Sequence, residues 1–141
     1  MEVHQDNYSV SIPDEKFREI LKEKYGLLFD LSETIAFQDI KEIRDLEVSN
    51  SKIASLEGIE FFSSLQVLGC GGNSLTSLNI SKNSELEKLN CHENNLKELD
   101  ISQNINLQVL VCNSNEFESL NVSQNLKLRS LYCEKEIEVH Y

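Results

Sequence analysis

From Leu65 the chain reads LQVLGCGGNSLTSLNISKNSE, and the same arrangement returns from Leu86 as LEKLNCHENNLKELDISQNIN and from Leu107 as LQVLVCNSNEFESLNVSQNLK. A fourth copy starts at Leu128 as LRSLYC and then leaves the pattern. Successive starts are evenly spaced, and three further columns keep the same step: Leu68/Leu89/Leu110/Leu131, Cys70/Cys91/Cys112/Cys133 and Asn73/Asn94/Asn115. A fixed period in the twenties marks a solenoid in which each repeat is one coil stacked on the last. Within a coil, the x-Leu-x-Cys-x stretch alternates inward and outward, which predicts a short strand with Leu68 and Cys70 pointing inward in the first copy.

The second half of each coil repeats the idea in miniature. Leu75, Leu78 and Ile80 precede Asn83; Leu96, Leu99 and Ile101 precede Asn104; Phe117, Leu120 and Val122 precede Asn125. Asn and Ser after each aliphatic position leave little room for a helix, so an extended return segment is expected. Stacked coils would place the Asn amides in ladders, where two donors and an acceptor oxygen satisfy backbone groups at the bends.

Ahead of the clear copies, Ile43, Leu46, Val48, Ile53, Leu56 and Ile59 already follow the pattern. The step from Ile43 to Leu65 is one residue longer than the later steps. The solenoid is therefore expected over residues 43–133. Residues 12–42 read as a helical N-terminal cap. Phe17, Ile20, Leu21 and Tyr25 form one apolar stripe, Asp14 and Glu15 suit the positive end of a helix, and Gly26 is a stop signal. This predicts a helix from about Pro13 to Tyr25. Ser32, Thr34, Ile35, Phe37 and Ile40 suggest a second short helix within 27–42. Residues 1–11 carry no pattern and read as a flexible leader. Residues 134–141, with Ile137, Val139 and Tyr141 alternating with Glu138 and His140, read as a degenerate C-terminal strand.

The net charge of −11 is spread over both halves of the chain. No run of Lys and Arg offers the basic patch that nucleic acid or an anionic membrane surface needs, so neither is an expected partner. No apolar stretch is long enough to predict membrane insertion, and the first residues lack the pattern of a signal peptide. The expected compartment is the cell surface or the exterior if a leader has been removed, and the cytoplasm otherwise.

The cysteines occupy one column, so they form a row of buried thiols rather than a tetrahedron around zinc. Bridges between neighbours stay open on Cα spacing alone. His92 beside Glu93 suggests acid–base chemistry, yet the repeat supplies no nucleophile with an orienting partner. Asn79, Asp100 and Asn121 share an outward return column, but one carboxylate there falls short of a calcium site. We therefore expect no enzyme, no cofactor and no metal.

The nested form LxxLxCxxNxLxxLDISxN resembles the 21-residue repeats of bacterial leucine-rich repeat proteins. IPDEKFREILKEKYG resembles the internalin-like helical cap that precedes such repeats, and residues 43–64 have an internalin-like length. The resemblance covers roughly residues 12–133. It implies an α/β solenoid: a parallel β-sheet on one face, extended return segments and a helical N-terminal cap.

Function is then expected on the outward face of the strands, where the repeat does not dictate the residue. The expected partner-binding residues are Val67, Lys88, Asn90, His92, Val109, Val111 and Tyr132, with Val109, Val111 and Tyr132 close together. Gly69, Gly71 and Gly72 leave either a bare patch that admits a ligand or a crowded turn. The leading expectation is a module that binds a protein partner through this face. The alternative is a structural or oligomerising repeat segment of a larger bacterial surface protein, with self-association through the C-terminal end.

Overall fold

The computed structural model describes residues 7–141. Five strands form one wholly parallel sheet: β3 (Asp45–Glu47), β4 (Val67–Gly69), β5 (Lys88–Asn90), β6 (Val109–Val111) and β8 (Ser130–Tyr132). Their register keeps the repeat columns in line, with Leu46, Leu68, Leu89, Leu110 and Leu131 paired in succession. The inward leucines from Leu46 to Leu110 are buried, together with Leu65, Leu86 and Leu107 and the return-side Leu75, Leu96, Ile80 and Ile101. Stacking fuses them into one continuous core. No coil could hide its apolar side alone, and each full burial contributes about 1.5–3 kcal/mol.

The two Asn columns tie the coils together in different ways. Asn94 is buried at the bend after β5. Its amide nitrogen donates to the carbonyls of Cys70 at 3.0 Å and Cys91 at 3.1 Å, and its oxygen accepts the Leu75 N–H at 3.0 Å. Asn73 and Asn115 make the equivalent contacts. In the return column Asn104 donates to the carbonyls of Ile80 and Asn83, both at 3.0 Å, but its side-chain oxygen has no partner; Asn83 and Asn125 repeat this.

A turn follows each of the first four sheet strands, and it uses the left-handed backbone region in every coil: Asn50, Gly72, Glu93 and Ser114 have φ of 54°, 66°, 51° and 60°. Gly72 thus belongs to a turn column that the residue identities alone conceal. The return segments are extended and largely irregular. In the last coil, however, β7 (Ser119–Asn121) pairs in parallel with β9 (Glu138–His140).

The cap is built from α1 (Glu15–Tyr25) and a two-stranded antiparallel ribbon of β1 (Ser9–Ser11) and β2 (Thr34–Ala36). Asp14 caps the helix by accepting the Phe17 N–H at 3.0 Å. Its second oxygen accepts the N–H groups of Ala54 and Ser55 in the first coil, each at 2.9 Å. One carboxylate therefore both starts the helix and docks it. Gly26 closes the helix in the left-handed region. Phe17 packs against Phe62 of the first coil with ring centroids 6.2 Å apart.

Two features of this end differ from the sequence reading. Ser9–Ser11 is part of the cap rather than of a patternless leader, and Val10 is buried; residues 1–6 of that segment lie outside the described residues. The second short helix is replaced by β2 and a 3-10 turn at Phe37–Asp39. The reason is local. Asp30 accepts the N–H groups of Ser32 and Thr34 and the Thr34 hydroxyl, which locks a turn with Glu33 at φ 62° and excludes a helix there.

Candidate functional site

The outward face of the five-stranded sheet is a grid fixed by register. One row runs Asp45, Val67, Lys88, Val109, Ser130 and the next runs Glu47, Gly69, Asn90, Val111, Tyr132. Neighbours in a row are about 4.8 Å apart. Val111 therefore lies beside Tyr132, Val109 lies two residues along the same strand, and Lys88 separates Val67 from Val109. Tyr132 is 62% exposed, Lys88 is exposed, and Val67, Asn90, His92, Val109 and Val111 are half-buried. The face grades from acidic at β3, where Asp45 and Glu47 are exposed, to apolar at β6 and β8.

The glycine patch is not bare. A β-carbon at Gly69 would collide with the carboxylate of Glu47, and one at Gly71 would collide with the ring of His92. Glu47 folds over its neighbour strand and also accepts the Ser49 N–H at 2.9 Å. His92 lies over Gly71 with Nδ1 2.5 Å from the Asn90 side-chain oxygen, which also accepts the His92 N–H at 3.2 Å. Its Nε2 is 3.9 Å from a Glu93 oxygen. The glycines thus make room for two neighbouring side chains on the same face. Glu47 shares this face with the expected binding residues, although the sequence reading left it out of that set. The signal was its pairing across the register from a residue without a side chain.

The cysteine row is a ladder of free thiols: Cys70, Cys91 and Cys112 are buried, and Cys133 at the open end is half-buried. Burial pushes Cys70 and Cys112 up to about 12 and raises Cys91 well above the ordinary thiol value. Cys133 is raised for the same reason, with Glu134 adding to it. Such thiols stay protonated and unreactive at neutral pH. Among the described residues, no cluster of three or more His, Cys, Asp or Glu gathers to hold a metal ion, and no helix is long and apolar enough to cross a membrane.

The return side carries a second regular pattern. The hydroxyls of Ser81, Ser102 and Ser123 donate to Asn79, Asp100 and Asn121 at 2.7, 2.6 and 2.6 Å. The bond from Ser102 holds the Asp100 carboxyl below its ordinary value. These are turn-forming contacts within single coils. A groove of about 820 Å³ runs along this side between Leu78, Leu99 and Asn121. The strand face, by contrast, is a broad grid of side chains.

Solved structures share this architecture. The fold is a leucine-rich repeat solenoid. The functional domain of InlJ from Listeria monocytogenes, described as including a cysteine ladder, superposes with a TM-score of 0.77 at 25% identity; the match covers 96% of this chain and 36% of that one. The internalin inlF from the same species matches with a TM-score of 0.67 at 21% identity, covering 88% and 44%. Internalin C2 matches at 0.58 and 18%, covering 91% and 67%. This chain thus spans less than half the length of the first two structures. No family model matches the sequence, and no curated protein matches it.

Proposed function

We propose that this solenoid is a protein-binding module whose contact surface is the outward face of the five-stranded parallel sheet. The observation that supports the reading best is the adjacency of Val109, Val111 and Tyr132. Val111 is the register neighbour of Tyr132 and Val109 lies two residues along the same strand, all on the outward face of a sheet whose inward columns are already committed to the core. Contiguous exposed apolar surface of this kind is characteristic of contact sites. Lys88, Asn90, His92 and Val67 would form its rim, where polar groups set orientation. Glu47 and Asp45 would give one end an acidic character that favours a partner with basic groups at that position. The likeness to internalin structures is consistent with this role, and it carries the expectation of a surface or secreted setting.

The test is substitution of Val111 and Tyr132 by Asp in the full chain, followed by capture of partners from the native source. Loss of partners that the unaltered chain retains is the expected result. Recovery of the same partners by the variant would remove this face from consideration.

A further inference from the structure

The ring of His92 lies over Gly71 on the outward face, and its hydrogen bonds fix where its proton sits. The side-chain oxygen of Asn90 accepts the His92 backbone N–H at 3.2 Å, so the Asn90 amide turns its oxygen, not its nitrogen, toward the ring. Nδ1 lies 2.5 Å from that same oxygen. An amide oxygen only accepts, so Nδ1 is the protonated nitrogen. In the neutral ring the other nitrogen, Nε2, then holds a lone pair.

Nε2 faces a second acceptor rather than a donor. A carboxylate oxygen of Glu93 lies 3.9 Å away, beyond hydrogen-bond distance, and the two side chains are 30% and 65% exposed, so both are within reach of a ligand. The backbone holds the pair in place. The His92 carbonyl accepts the Gly72 N–H at 2.9 Å, and the Glu93 N–H donates to the Asn113 carbonyl at 3.0 Å.

No neighbour supplies the missing donor. Among the described residues no lysine or arginine pairs with Glu93. The repeat counterparts of His92 on either side are Gly71, which has no side chain, and Asn113, which is uncharged. Lys88 is four residues back from His92, about 13 Å along an extended chain. The Glu47 carboxylate adds negative charge to the same surface, folded over Gly69 two residues before Gly71.

These features define the ligand. It must donate to two acceptors and bring positive charge. A primary ammonium does both from one nitrogen with three donors, and acceptors 3.9 Å apart are within its reach. The parallel fork of a guanidinium matches the two oxygens of one carboxylate rather than acceptors on separate side chains.

We propose that His92 and Glu93 form an ammonium-binding subsite on the strand face, which takes a lysine side chain of the protein partner between Nε2 and the Glu93 carboxylate. This rests on the strand-face reading and adds a charged anchor to the apolar contact at Val111 and Tyr132.

Nitrogen NMR of the isotope-labelled full chain tests it at about pH 8, where a lysine ammonium is charged. The probe is Nα-acetyl-lysine methylamide. Before its addition, the His92 ring should show a protonated Nδ1 and an unprotonated Nε2, and the reverse assignment overturns the proposal. The probe should then move the Nε2 signal saturably, with Kd on the order of 10 mM. The norleucine analogue, which has an apolar stem and no charge, should leave that signal in place. A response to lysine that stays linear up to about 100 mM overturns the proposal, as does an equal response to norleucine. Glu93→Gln keeps the side-chain shape and should weaken the probe at least about fivefold, whereas unchanged affinity overturns the subsite. The comparison of lysine with norleucine uses the unaltered chain, so it decides even if that variant fails to fold. The probe is read without a protein partner. A null result therefore removes this subsite alone, while partner capture with altered Val111 and Tyr132 decides the strand-face reading.

Discussion

The hydroxyl of Tyr25, the last residue of α1, accepts the backbone N–H of Glu47 on the first sheet strand at 2.7 Å. Lys24 donates to the carbonyl of the same residue at 2.9 Å. Two consecutive side chains at the end of the helix thus stand in for the neighbouring strand that β3 lacks. Tyr25→Phe keeps the ring and removes the acceptor. It should lower stability by about 1 kcal/mol in urea unfolding and speed exchange at the Glu47 amide. Unchanged exchange would show that this edge does not depend on the hydroxyl.

Asn94 and Asn104 are both buried but unequally paired. Asn94 holds the Leu75 N–H and two carbonyls, whereas the Asn104 side-chain oxygen has no partner. Asn94→Ala strands the buried Leu75 N–H and leaves the Cys70 and Cys91 carbonyls to the Asn73 and Asn115 amides alone, at a cost of about 3 kcal/mol. Asn104→Ala removes two donated bonds together with an unpaired oxygen, so its cost should be only about 1 kcal/mol. Denaturant midpoints of the two variants compare them directly, and equal losses would refute the distinction.

Glycines that look alike in sequence should differ in tolerance. Gly58 has φ of 102°, and a β-carbon there would strike both the Ile12 side chain and the Ser11 carbonyl. Gly58→Ala should cost about 3 kcal/mol, because the backbone must give way and the cap shifts off the first coil. At Gly69 the obstacle is the mobile end of Glu47. Gly69→Ala should cost under about 1 kcal/mol and release Glu47 from its place over the strand. Thermal unfolding of the pair checks the order.

The thiol ladder gives a pH prediction with a definite sign. In the unfolded chain a thiol ionises near its ordinary value of 9.0, whereas folded Cys70 and Cys112 ionise near about 12. Below the lower value both states are protonated and the thiols confer no pH dependence. Between the two values the folded state holds more protons, so stability falls with rising pH by about 1.4 kcal/mol per unit for each thiol. Cys70→Ala should show a correspondingly shallower decline over that window. A disulfide-exchange reagent at mildly alkaline pH should label Cys133 first, with the three buried cysteines reacting only on unfolding.

The repeat was legible because stacking makes every coil solve the same packing problem. Leu68, Leu89 and Leu110 must be apolar for one reason, so their spacing announces it. The helix was legible too, since Phe17, Leu21, Asp14 and Gly26 mark its face and both ends. The ribbon was not. Val10 stands between two serines and Ile35 opens the short apolar run Ile35–Ala36–Phe37, neither long enough to show a period, and only their pairing across a long stretch of chain makes a strand of each. Gly69 and Gly71 were ambiguous for a similar reason: whether a missing side chain leaves a space or accommodates a neighbour depends on how Glu47 and His92 turn.

The sequence by itself determined the period, the inward columns and the helical start, because these follow from local periodicity and from burial repeated coil after coil. It also determined which outward positions share a row, since the aligned leucine columns set the register from coil to coil. Only the tertiary structure decided what those positions present to solvent: Glu47 and His92 laid over the glycines, and the β3 edge closed by Tyr25. Those outcomes rest on contacts between different coils or between cap and coil. There, side-chain reach and backbone direction act together, and no periodic signal encodes them.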